Sequence, residues 1–143
     1  MRRIRRRRGV DSAIYEARTR DILVRVAPSY MPEESDPEAA RFLFGYLIEI
    51  ENHGRETVTL VSRHWKITDA LNRLEEVRGP GVVNETPELR PMEAFRYNSF
   101  CSIRTPSGAM KGAYQMVTAD GETFDVEIPE FSLHLPGAAK RVN

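Results

Sequence analysis

Apolar and polar residues alternate with period two through most of the chain, and runs with helical spacing are short and poorly capped. The alternation predicts strands over residues 19–27, 41–51, 56–67, 73–78, 93–102, 112–118 and 122–134. Seven short strands bounded by turn residues point to an all-β fold, an antiparallel sandwich. The proline-broken, acidic stretch 28–40 reads as a loop with at most one helical turn near Pro37–Ala40. Asp69 to Asn72 and Asp120-Gly121 carry hairpin chemistry, and Ser107-Gly108 opens a bend, giving a meander-like order. Pro129, inside the last strand, marks an edge strand or a break, with Phe124, Val126 and Ile128 as its inward row.

The sharpest local expectation is a hairpin about His53-Gly54. With Asn52 opposite Arg55, one face pairs Ile50 with Thr57, Ile48 with Thr59, Tyr46 with Val61 and Phe42 with Trp65, and forms the core. A primed two-residue turn needs positive φ, which glycine takes freely and histidine more readily than most side chains. The other face then exposes Leu43, Leu47 and Leu60, bordered by Val58 and His64. That apolar patch is a predicted contact surface for a protein partner or a second copy of the chain.

A chain of 143 residues suits one domain that buries a proper core without staples. Cys101 is the only cysteine, so no intramolecular disulfide can form, in keeping with a reducing cytoplasm. No apolar run reaches the roughly 20 residues of a membrane helix, and no apolar stretch follows the N-terminal arginines as a signal peptide would require. A cytoplasmic, membrane-free protein is expected. The zero net charge hides an asymmetry: Arg2, Arg3, Arg5, Arg6, Arg7 and Arg8 are 6 of 21 basic residues, and without them 15 bases face 21 acids, a net of −6. Residues 1–18 therefore read as a basic, disordered arm, residues 19–134 as the sandwich and residues 135–143 as a tail. Nucleic acid would be met only through the Arg2–Arg8 arm, and no interleaved aromatics extend it into a binding face.

Three stretches, Ile50-Glu51-Asn52-His53-Gly54, Ser62-Arg63-His64-Trp65-Lys66-Ile67-Thr68-Asp69 and Glu76-Val77-Arg78-Gly79-Pro80-Gly81-Val82-Val83, resemble the bacterial ApaG family in order. Thr105 to Tyr114 and Phe124 to Phe131 extend the resemblance, which spans roughly residues 21–134. It implies a fibronectin-type-III-like or immunoglobulin-like sandwich, a role in recognition more than in catalysis, and an association with cobalt tolerance and magnesium efflux. The chain departs from the family pattern at Leu71-Asn72, where Asn-Gly is usual, at Pro80 for an acid, and at Asn84 and Met92 for glycines.

Gly79-Pro80-Gly81-Val82-Val83-Asn84 looks like a glycine-rich phosphate loop, and amides of Gly79, Gly81, Val82 and Asn84 beside Arg78 form a candidate anion or pyrophosphate site. Against it, Pro87 and Pro91 follow where such a loop would feed a helix, so an interstrand turn needing glycine is the competing reading. For metals, His53, His64 and His134 have uninformative spacing, and Glu33, Glu34 and Asp36 read as a solvated acidic loop. Cys101 reads as a small buried hydrophobe, Trp65 as packing, and no catalytic elbow or cofactor motif is present. Two functions stay open: a non-catalytic protein-interaction module, or a small-anion or nucleotide binder, hydrolytic or not, at the Gly79–Gly81 loop.

Overall fold

The computed structural model describes residues 13–137 and the backbone of residues 3–6. Ten antiparallel strands, β1(Arg3–Arg6), β2(Ala13–Thr19), β3(Ile22–Tyr30), β4(Phe42–Asn52), β5(Val58–Asp69), β6(Leu74–Pro80), β7(Glu88–Leu89), β8(Ala94–Ile103), β9(Ser107–Thr118) and β10(Thr123–His134), build two sheets among these residues. One sheet has the order β1-β2-β3-β4-β8, the other β10-β9-β5-β6 with β7 joining β5. The all-β antiparallel sandwich expected from alternation is the observed fold. Two 3-10 turns, Pro32–Glu34 and Pro37–Ala39, occupy the proline-broken loop. No helix of the described residues is long and apolar enough to cross a membrane.

The inner faces interlock as their sequence period requires. Ile22, Val24 and Val26 of β3 and Phe42, Phe44, Tyr46, Ile48 and Ile50 of β4 meet Trp65, Ile67, Tyr114, Val126, Ile128 and Phe131 of the second sheet. Tyr46, Trp65 and Phe131 form a ring cluster at its centre, with centroids 5.4–6.0 Å apart. Burying such aromatic area contributes roughly 2–3 kcal/mol per ring.

The His53-Gly54 hairpin is not there. β4 pairs with β3 and β8, while β5 pairs with β9, β6 and β7, so the chain leaves one sheet at Asn52 and enters the other at Val58. His53 does not adopt positive φ. Buried Asn52 secures this crossing: its Nδ2 donates to Glu56 O (2.8 Å) and Leu89 O (2.9 Å), and its Oδ1 accepts from Gly54 N (2.9 Å). Alternation reports which face is buried; it does not report which strand lies alongside. For the same reason the order is not a meander.

The exposed leucine patch falls with the hairpin. A bulge between Leu60 and Ser62 reverses the parity of β5, so Val58 and Leu60 point inward before it and Trp65 and Ile67 after it. Leu60 is 1% exposed and Val58 4%, whereas Val61, assigned to the core by the hairpin register, is 37% exposed. Leu43 and Leu47 lie on the outer face of the first sheet and His64 on the outer face of the second.

The boundary at residue 18 also moves. Arg3–Arg6 pairs with β2, and β2 with β3, so the described parts of the expected arm belong to the first sheet. β2 has a short inward row of Ala13, Tyr15 and Ala17, and Glu16 is buried as well, held on the outer face by Arg25 (3.3 Å). Residues 1, 2, 7–12 and 138–143 lie outside the described residues. The Asp69–Asn72 and Asp120-Gly121 hairpins stand, and Pro129 sits on an edge strand at a register shift between Ile128 and Phe131.

Candidate functional site

β6 ends one sheet and β8 the other, and they flank a cleft on the same side of the sandwich. Two cavities of about 270 Å³ each open along it. One lies among Ile67, Asp69, Arg73, Leu74, Ile103 and Arg104. There Asp69 is committed to the β5–β6 turn, accepting from Leu71 N (2.9 Å), Arg73 N (3.0 Å) and Arg73 Nε (2.6 Å).

The second cavity has a floor of Tyr46, Trp65, Tyr97 and Val82, all buried, and a rim of Arg63, Ser99, Pro80, Val83 and Asn84. Arg63 faces this cavity because the β5 bulge gives it the inward parity of Trp65. Its Nη1 donates to Pro80 O and Gly81 O, both at 2.9 Å. The guanidinium lies so close over Gly79 that a Cβ there would stand 3.1–3.2 Å from it. No carboxylate among the described residues pairs with Arg63, and Nε and Nη2 keep donors beyond the two carbonyl bonds. Burial pushes the Tyr97 hydroxyl well above its ordinary range, and it hydrogen-bonds Tyr114. Burial likewise raises Tyr46, against a hydrogen bond from Ser99. Both phenols are therefore neutral, and among the described residues the one formal charge lining this cavity is that of Arg63.

The glycines serve turn geometry. Gly81 has φ +55° and a Cβ would meet Glu85 O at 2.0 Å, so only glycine fits. Beyond it Val82 and Glu85 exchange backbone hydrogen bonds of 2.8 Å around Val83 (φ 43°) and Asn84 (φ 66°), a type I′ turn. Of the amides expected to cradle an anion, Gly81 N donates to Val61 O and Val82 N to Glu85 O. Arg78 stands on the outer face of β6, next to His64 and 3.8 Å from Glu76, and is not brought to the loop. The group that sequence reasoning missed is Arg63, whose inward aim depends on a bulge that alternation does not reveal.

The remaining candidates are dispersed. His53 bonds Glu51 (2.8 Å), His64 bonds Glu76 (2.7 Å) and His134 bonds Ser132 (3.1 Å), each in a different region. Among the described residues no three of His, Cys, Asp and Glu are grouped to hold a metal ion. Cys101 is half-buried, its thiol directed at Met110 Sδ (3.4 Å) and pushed up to about 12 by burial, which disfavours the nucleophilic thiolate.

Residues 32–118 match the family model of the ApaG domain. The chain belongs to the ApaG family. It is 66% identical over 140 residues to Protein ApaG of Caulobacter vibrioides, covering 98% of this chain and 100% of that one. Protein ApaG of Rhodospirillum centenum is 54% identical over 130 residues, covering 91% and 100%. A crystal structure from Bordetella pertussis, of a protein named there ApaA, superposes with a TM-score of 0.80 at 45% identity, covering 82% of this chain and 96% of that chain. Three places where this ApaG-family chain lacks an expected glycine share one conformation: Asn72, Asn84 and Met92 have φ 62°, 66° and 69°.

Proposed function

We propose that this protein is a non-catalytic interaction module that takes an extended segment of a partner protein onto the edge of β8, which no further strand covers among the described residues. The observation carrying this reading is a contrast among the four outermost strands. β6 is blunted by Glu75, Glu76, Arg78 and Pro80 and β10 by the Pro129 bulge and its acids, and the sequence of β1, RIRR, is mostly charged. β8, with sequence AFRYNSFCSI, runs ten residues with one charge, no proline and no glycine. Soluble proteins rarely leave such an edge undefended, and strand addition is a common use for one. Phe100, 65% exposed, and Leu47, 44% exposed, add an apolar strip where the edge meets the outer face. In this reading any tie to cobalt tolerance or magnesium efflux runs through the partner.

Adjacent prolines test the reading. Along an edge strand alternate amides point to the neighbouring strand or outward, so one of Asn98→Pro and Ser99→Pro breaks a bond to β4 and the other removes only an outward donor. The better-folded variant, identified by thermal melting, should lose partner retention in affinity capture, or lose self-association in sedimentation if the partner is a second copy. Unchanged association would sink the edge reading.

A further inference from the structure

We propose that the cavity under Arg63 is a carboxylate site for a monoanion with a flat apolar body. This inference does not depend on strand addition at β8.

Among the described residues Arg63 is the sole ionised group on the cavity wall, and its geometry is set before any ligand arrives. Two carbonyls hold Nη1, and the bare Cα of Gly79 supports the plane of the guanidinium. Preorganised in this way, the fork loses little entropy on binding, and its parallel N–H groups match the two oxygens of a carboxylate. Ser99, on the rim, and Asn84 add neutral polar groups. Tyr46, Trp65 and Tyr97 supply ring surface for the apolar body. One positive charge matches a monoanion, whereas a pyrophosphate carries several charges and calls for several cations or free amides. The amides of Gly81 and Val82 are already spent within the chain. A cavity of about 270 Å³ has room for a single-ring acid.

The acid can be a free metabolite-sized molecule or the C-terminal carboxylate of a protein, and the probes separate these sources. Trp65 is the only tryptophan and forms the cavity floor, so its fluorescence reports occupancy directly. The full chain is titrated with benzoate, benzamide, acetyl-Gly-Phe with a free C-terminus, and inorganic pyrophosphate. Saturable change in emission with benzoate and none with benzamide is the expected result. Response to acetyl-Gly-Phe alone assigns the site to a protein C-terminus and still supports it. No response to either carboxylate, an equal response to benzamide, or preferential binding of pyrophosphate overturns it. Arg63→Gln should weaken benzoate by about tenfold or more, with Arg63→Lys in between. The comparison of the two carboxylates with benzamide and pyrophosphate on the parent chain needs no mutant, so it decides the matter even if those variants melt early.

Discussion

The side-chain amide of Asn52, at the end of β4, donates to the backbone carbonyl of Leu89 in β7, across the gap between the two sheets. The same nitrogen donates to Glu56 O, and the side chain is 1% exposed. Asn52→Leu removes the bonds to Glu56 O, Leu89 O and Gly54 N, so a loss of about 2–3 kcal/mol is expected. Chemical denaturation reads this; a loss under 1 kcal/mol would mean that water replaces the amide.

Met92 has φ 69° and is 78% exposed, so its side chain gains little from burial while its backbone is strained. Met92→Gly is expected to stabilise by about 1 kcal/mol, or raise Tm by about 3 °C. Asn72→Gly should gain less, because asparagine tolerates the left-handed region better. A lower Tm for Met92→Gly would show that the methionine side chain makes up the strain.

Arg25 gathers Glu16 (3.3 Å), Glu49 (3.0 Å) and Glu51 (2.6 Å) on the outer face of the first sheet. Burial works against the charge of Glu51, but hydrogen bonds from His53 and Arg25 outweigh it and leave its pKa below the usual carboxylate range. A depressed folded pKa contributes stability that is complete above the unfolded value, roughly 4.3, and is lost as pH falls through the folded value. The parent should therefore lose Tm steeply below about pH 4. Arg25→Gln should start lower at neutral pH and fall less on acidification. Two parallel curves would show that this cluster does not govern acid stability.

Cys101, with its thiol pushed up to about 12, should resist alkylation. At about pH 8, iodoacetamide should modify it more than a thousandfold more slowly than a free cysteine, followed by intact mass. Rapid labelling would mean that β8 opens away from the core.

Where one side chain decides a face, the fold was legible. Phe42, Tyr46, Ile48 and Trp65 are core because period two reports burial, and Pro129 marked an edge because proline cannot donate to a ladder. Pairing was not legible: alternation around His53-Gly54 suits a hairpin and a sheet crossing equally, and the deciding contact, Asn52 to Leu89, spans 37 positions. The candidate site was half visible. The sequence offers Gly79 and Gly81 either as amides of an anion loop beside Arg78 or as turn residues; Gly81 proves to be a turn residue, and the charged group beside them, Arg63, stands on another strand, past a one-residue bulge. The missing glycines at positions 72, 84 and 92 were visible departures, and the structure gives them one meaning, positive φ.

The pairing of β4 with β8 also shapes how the chain is made. β8 is the inner neighbour's last partner to be synthesised, since β5, β6 and β7 must all emerge before residues 94–103 reach β4. At ribosomal rates of about 5–20 residues per second, the apolar run Phe42-Leu43-Phe44-Gly45-Tyr46-Leu47-Ile48 waits for seconds with one edge bare. Such distant pairing slows folding to the millisecond-to-second range and makes the nascent chain, more than the finished sandwich, the form most in need of a chaperone.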